Sequence, residues 1–181
     1  TAQSTARCSH CPTSIAGCSH EGRGTAQVTP RIHLPGALAT GATATLDREQ
    51  SHYASRVLRL RAGDAIEVFD GAGARHTATV REPDPRQCVL LIGNPLPSTT
   101  ESPLEIVLAQ CLSANEKMDW TIEKAVELGV SSIVPLQSRR SLVRLDEERA
   151  RRRAEHWHRL IVAACMQCGR DRLPELAPAL D

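Results

Sequence analysis

Residues 117–129 read KMDWTIEKAVELG, and this stretch constrains the chain more than any other. Met118, Ile122, Ala125 and Val126 recur at the spacing that places them on one face of a helix. Ser113 and Glu116 stand just upstream in the S-x-x-E spacing of a capping box. Gly129 falls where helices commonly end in a left-handed glycine. Short apolar runs flank the stretch at residues 104–109 and 132–136. They are continuous rather than alternating, the pattern of strands covered on both faces. Strand, helix, strand at these lengths predicts a βαβ unit of a parallel sheet. The polar face of the helix carries Trp120, Glu123, Lys124 and Glu127, of which Trp120, Lys124 and Glu127 share one side.

The chain beyond this unit is basic. Arg139 and Arg140 come directly after the second apolar run, and ligands of open α/β sheets bind beyond the carboxyl ends of strands. A second helix is expected over residues 146–168. Asp146, Glu147 and Glu148 occupy its first turn, where they oppose the positive end of the dipole. Ala150, Ala154, Trp157, Ile161, Ala164 and Cys168 form its apolar stripe, so Trp157 reads as core rather than as a base-stacking platform. Gly169 ends the helix, and Gln167, Arg170 and Arg172 emerge beside the next expected strand. Residues 139–172 hold ten arginines against five carboxylates. Such an excess suits a polyanion, because guanidinium binds phosphate in a bidentate way. A solvated helix face with internal ion pairs accounts for it equally.

Upstream, residues 31–97 read as short strands around glycine turns with one helix between them. Strands are expected at 31–34, 42–46, 65–69, 74–81 and 87–92, with 65–69 and 74–81 joined as a hairpin around Gly71 and Gly73. A helix over 48–60 would be capped by Asp47 and Gln50, with Tyr53, Ala54, Val57 and Leu58 turned inward. His52, Arg56 and Arg59 line up on another side, and Arg61 follows in the turn. With Arg31 they form the RNA-contact candidates of this half. Several short strands with one helix predict a small barrel. The run NPLPSTTESP at 94–103 separates the two halves, with residues 98–103 as the linker proper.

Composition removes several classes. No apolar run approaches the roughly 20 residues that span a bilayer. Tyr53, Phe69, Trp120 and Trp157 are all the aromatics present, too few for a binder that stacks successive bases on aromatic platforms. Residues 1–29 are rich in Ser, Thr, Ala and Gly and read as a disordered tail outside the fold. Cys8, Cys11, Cys18 and His20 lie within it, but their spacing matches no common zinc pattern, and no metal site is expected. Cys165 and Cys168 fall at the wrong end of a helix for a lowered thiol pKa and read as packing residues. Cys88 and Cys111 read as small core residues of strands. With no secretory signal pattern, reduced thiols and a cytoplasmic protein are expected. No G-x-G-x-x-G, Walker or G-x-S-x-G pattern occurs.

The segments KMDWTIEKAVELGVSSIVPLQSRRS and RLDEERARRRAEHWHRLIVAACMQCGRDRLPE resemble the RsmE family, as does PRIHLPG…HYASRVLRLRAGDAIEVFDGAG upstream. The resemblance runs from about Pro30 to the end of the chain. It implies a mixed α/β protein, with a PUA-like RNA-binding β-barrel over 30–97. The N-terminal part of a SPOUT methyltransferase domain would occupy 104–181 and stop before its knot. The implied reaction is methylation of uracil N3 in 16S ribosomal RNA by S-adenosylmethionine, with no metal and with a homodimer as the working state. The family's glycine-rich GPEGG-like turn does not occur in this sequence, so the cofactor site is expected beyond Asp181 and a fragment of this extent is expected to be inactive alone. Lys124, Glu127 and Arg170 are the catalytic candidates, although Glu127 with Lys124 also fits a plain i, i+3 surface pair. Arg31, His52, Arg56, Arg59, Arg61, Arg139, Arg140, Gln167 and Arg172 are the RNA-contact candidates. A non-catalytic RNA-binding module and a nucleotide-binding α/β protein of other chemistry remain open on the residues alone.

Overall fold

The computed structural model describes residues 29–98, 101–138 and 146–180. The expected tail at 1–29, including Cys8, Cys11, Cys18 and His20, lies outside the described residues apart from its last position. So do Arg139 and Arg140.

The first half is one mixed sheet. Its strands are β1 (Arg31–His33), β2 (Thr43–Thr45), β3 (Ala65–Phe69), β4 (Arg75–Glu82) and β5 (Val89–Leu96). Their order across the sheet is β1-β3-β4-β5-β2. β1 runs parallel to β3 and every other neighbour is antiparallel. Alternation sets the inward face: Ile66 and Val68 of β3, Ala78 and Val80 of β4, and Leu90 and Ile92 of β5 are buried in one core. β1 and β2 stand at opposite edges and do not pair. The expected barrel is therefore an open, curled half-barrel. The register of β4 on β5 shifts between His76 and Ala78. A side chain at Gly93 would put its Cβ 2.3 Å from Thr77 Oγ1, so this close approach requires glycine.

The helix expected over 48–60 is shorter and changes type. α1 spans Arg48–His52 and continues as a π turn over Tyr53–Val57. Asp47 caps it by accepting from the Gln50 N–H at 2.7 Å. Ala54 and Ser51 face the core. The wider turn swings Tyr53 and Val57 outward, to 36% and 61% exposure, against their expected burial. Arg59 stops the helix at φ +55°, a left-handed conformation that costs a non-glycine residue strain.

The second half is the expected parallel unit with one strand more. β6 (Val107–Cys111), α2 (Asn115–Glu127), β7 (Ser132–Leu136), α3 (Glu147–Cys168) and β8 (Glu175–Leu176) succeed one another in order. The sheet is β6-β7-β8, all parallel. Met118, Ile122 and Val126 of α2 pack with Trp157, Ile161 and Ala164 of α3 on Ile133. Cys165 joins them, whereas Ala150, Ala154 and Cys168 are only partly covered.

Three expectations for this half are corrected. β6 begins three residues later than the apolar run, leaving Leu104 and Ile106 exposed outside it. It also alternates: Val107, Ala109 and Cys111 are exposed while Leu108 is partly covered, so the strand is covered on one face and Cys111 is not a core residue. The capping box does not form, because α2 is capped at Ala114 without a side-chain hydrogen bond. The apolar stripe alone fixes the position of this helix.

Phe69 joins the two halves. It belongs to β3 of the first sheet, yet its ring is fully buried in the core of the second half. The β3–β4 turn comes next. Asp70 Oδ1 accepts from the N–H groups of Ala72, Gly73 and Ala74 at 2.8–3.0 Å. The Gly71 carbonyl then accepts from Leu173 N–H at 2.9 Å.

Candidate nucleic-acid interface

Two sets of charged residues result, one spent inside the molecule and one free. The internal set surrounds Asp171, which is fully buried. Arg31 of β1 donates to the carbonyls of Cys165 and Arg170 at 3.2 Å each and to the Asp171 carboxylate. Its guanidinium lies 4.8 Å over the Phe69 ring. Arg75 approaches the same carboxylate at 3.8 Å. Arg170 donates to the carbonyls of Val126 and Val130, at 3.2 and 2.7 Å, closing the end of α2. Glu101 receives Arg170 on one oxygen and the N–H groups of Asp171 and Arg172, both at 2.9 Å, on the other. Burial alone would raise the Glu101 carboxyl; the hydrogen bonds from Arg172, Arg170 and Asp171 outweigh it and hold the group below its ordinary value. The residues that read as a linker are thus anchored at Glu101.

These contacts decide two of the expected site residues. Arg31 and Arg170 sit inside the clamp, with side chains 9% exposed, and not on a rim. Arg172 is exposed, with its side chain against Gly73, where a Cβ would lie 2.9 Å from Nε. Gln167 is exposed on α3. Lys124 and Glu127 pair with each other at 2.7 Å, and that hydrogen bond raises the Lys124 ammonium. The surface pair is therefore the arrangement that forms. Burial pushes the Cys165 thiol up to about 12, which removes a redox reading of the C-x-x-C. Among the described residues no three His, Cys, Asp or Glu side chains gather as metal ligands.

The free set lies on the first half. Arg48, Glu49, His52, Arg56, Pro85 and Arg86 line an open cleft of about 580 Å³ between α1 with its π turn and the β4–β5 loop. Arg48, His52 and Arg56 succeed one another at four-residue spacing down the helix. The loop is held against it: Ser55 Oγ donates to the Pro83 carbonyl at 3.3 Å, and Ser51 Oγ accepts from Cys88 N–H at 2.9 Å. Asp84 shapes the loop by accepting from Arg86 and Gln87 N–H groups at 2.7 and 3.0 Å. His52 and Arg56 are therefore brought together as expected, while Arg59 and Arg61 fall outside the cleft. Sequence reasoning missed Arg48, Glu49 and Arg86. The place of Arg48 one helical turn before His52 is readable in the sequence; that of Arg86 is not, because only the folded loop brings it across.

The two halves match two family models. Residues 46–93 match "RNA methyltransferase PUA domain" and residues 100–181 match "RNA methyltransferase domain". Together with a half-barrel clamped onto a parallel α/β unit, they define a two-part RNA methyltransferase architecture. The ribosomal RNA small subunit methyltransferase E of Buchnera aphidicola (subspecies Schizaphis graminum) is 31% identical over 152 residues, covering 81% of this chain and 60% of the relative. That of Bacillus subtilis is 26% identical over 134 residues, covering 74% and 52%. A crystal structure of the Neisseria gonorrhoeae enzyme bound to S-adenosyl methionine superposes with a TM-score of 0.80 at 38% identity, covering 84% of this chain and 62% of that one. A putative methyltransferase from Legionella pneumophila, in complex with the same cofactor, gives 0.80 at 35%, covering 84% and 63%. The chain belongs to the RsmE family, and it spans about three fifths of the length of the Buchnera and Neisseria relatives.

S-adenosylmethionine is the cofactor this family implies, and the described residues do not by themselves fit it. From residue 104 onward the only glycines are Gly129 and Gly169, and each ends a helix at positive φ. Neither supplies a glycine-rich turn on which an adenosyl group can rest.

Proposed function

We propose that the full-length protein transfers a methyl group from S-adenosylmethionine to N3 of a uracil in 16S ribosomal RNA, as a cytoplasmic homodimer. The first half, residues 30–97, is in this reading the RNA-holding domain, and residues 104–181 open the methyltransferase domain. The observation that carries the reading is the joint likeness of both halves, in order, to solved relatives that hold this cofactor. The cleft on α1 supports the RNA-holding part, since unpaired guanidinium groups are what a phosphate backbone requires. The exposed apolar Leu104, Ile106, Val107 and Leu128 support a further contact surface on the α/β half. No chemical step is assigned to the described residues. Lys124 and Glu127 are already satisfied by one another, and Arg170 holds carbonyls.

The test is methyl transfer by the full-length protein to small ribosomal subunits lacking the modification, with mass spectrometry of the nucleosides as the readout. The expected product is 3-methyluridine. A product methylated at another atom would overturn the N3 assignment. Cofactor binding with no transfer to RNA would favour another acceptor. Sedimentation of the same protein checks the dimer.

A further inference from the structure

The cleft lined by Arg48, Glu49, His52, Arg56, Pro85 and Arg86 is not the surface that a uniform phosphate contact would need. It contains a carboxylate. Arg48, Arg56, Arg86 and Glu49 make no side-chain hydrogen bond or ion pair with any described residue, so the carboxylate is not there to neutralise the arginines. A duplex backbone laid along the helix would place phosphate near Glu49 and be repelled. A ligand that suits all the lining groups carries one anionic part, one flat part and one edge of hydrogen-bond donors. An unstacked nucleotide meets that description. Its phosphate takes a bidentate guanidinium pair, and its base stacks on a guanidinium plane and the flat ring of Pro85. Its edge donates to Glu49.

We infer that this cleft receives a single flipped-out nucleotide of the RNA, and that Glu49 selects guanine. Guanine presents two adjacent donors, N1–H and the N2 amino group, which match the two oxygens of a carboxylate. Adenine and cytosine present an amino group beside an acceptor. Uracil presents one N–H between two carbonyls, and those carbonyls face the carboxylate unfavourably. The volume of about 580 Å³ takes one nucleotide and not a duplex. The walls are preformed, because Ser51, Ser55 and Asp84 fix the loop against the helix. Little ordering is therefore left for the ligand to impose. The π turn contributes by holding Arg56 in the wall while Tyr53 and Val57 turn outward. π turns of this kind recur at functional sites. The inference rests on the proposed RNA-holding role and adds to it the nucleotide, its conformation and its base.

Fluorescence anisotropy of the full-length protein with three labelled RNA hairpins tests it: fully paired, with one bulged guanosine, and with one bulged uridine. The bulged-guanosine hairpin is expected to bind about tenfold tighter than the paired one, the size of one stacked and hydrogen-bonded base. Arg48→Ala with Arg86→Ala should abolish that preference and lower the salt slope by about 1.4, at about 0.7 per single-strand phosphate contact. Arg48→Lys with Arg86→Lys keeps the charge and should lose the preference while keeping the slope; it also serves if the alanine protein folds poorly. Glu49→Gln should remove the advantage of guanosine over uridine at unchanged slope. If the arginine variants weaken all three RNAs equally, the cleft is a plain phosphate contact and the inference fails. If they bind as the parent does, the inference fails while the RNA-holding role stands. If the parent binds none of the hairpins, both fail together.

Discussion

The clamp around Asp171 lends itself to a quantitative test. Asp171 is fully buried between Arg31 and Arg75, and the Arg31 side chain is 9% exposed. Breaking a buried ion pair by removing one partner costs about 3–5 kcal/mol, because the remaining charge stays buried. Arg31 keeps two carbonyl acceptors, those of Cys165 and Arg170. The lower end applies, so Asp171→Ala should lose about 3 kcal/mol. For a chain of this size each kcal/mol moves the midpoint by about 2–4 °C, so the melting temperature should fall by about 6–12 °C. The comparison is Arg152→Ala, which breaks the pair with Glu148 on α3 at 67% and 66% exposure. That change should cost less than about 0.5 kcal/mol. Urea titration monitored by the fluorescence of buried Trp157 reads both.

A companion variant separates pairing from simple loss of packing. Asp171 Oδ2, Arg31 Nε and Arg75 Nε are buried without hydrogen-bond partners, so the desolvation is incompletely offset. Replacing the pair by apolar groups, Arg31→Met with Asp171→Leu, should recover at least half of the loss. A loss at Asp171→Ala no larger than at Arg152→Ala would refute the reasoning. So would a double variant as weak as the sum of its singles.

The remaining predictions concern the same junction and the helix end. Burial lowers the pKa of His33 below 6.5, against the pull of the Asp70 carbonyl. The unfolded chain therefore takes up the proton first, so stability is intact above pH 6.5 and falls as pH drops from there toward the folded value; His33→Gln should flatten the urea midpoint over that window. Glu101 has the opposite form, a carboxyl held below 4.5: its contribution is present above that value and is lost as pH falls through the folded pKa, and Glu101→Gln should remove that acid-limb loss. Arg59→Gly relieves φ +55° and should raise stability by about 1 kcal/mol in the same titration, whereas an unchanged midpoint would mean that the position carries no strain.

Helical periodicity is the most legible signal because each stripe is read from neighbours in sequence. Spacing alone assigns Trp157, Ile161 and Ala164 to the core, and Asp146 to the cap. Strand assignments slip where local sequence is ambiguous. Residues 104–109 are apolar, but backbone pairing with β7 begins only at Val107, and no pattern within the run distinguishes Leu104 from Leu108. The π turn is not legible at all. It arises from Ser51 and Ser55, which meet Cys88 and Pro83 more than 25 residues away. Glu101 reads as linker because proline, serine and threonine surround it, although its carboxylate is the acceptor that ties Arg170 to the chain between the halves.

The arginines show why a count of charges does not locate an interface. Residues 139–172 carry the larger basic excess in sequence. In the fold, Arg149 pairs with Asp146, Arg152 with Glu148, Arg153 with Asn115 and Arg170 with Glu101. Among the described residues of that stretch, Arg151, Arg159 and Arg172 are left without an ion pair. In the first half, Arg31 and Arg75 are spent on Asp171 and Glu67. Arg48, Arg56 and Arg86 are not spent, and they converge on one cleft. An arginine already paired has little to gain from a phosphate, because binding must first break the contact it has. The electrostatic footing for RNA is therefore set by which guanidinium groups the fold leaves unpaired, and α1 with the β4–β5 loop is where they are concentrated.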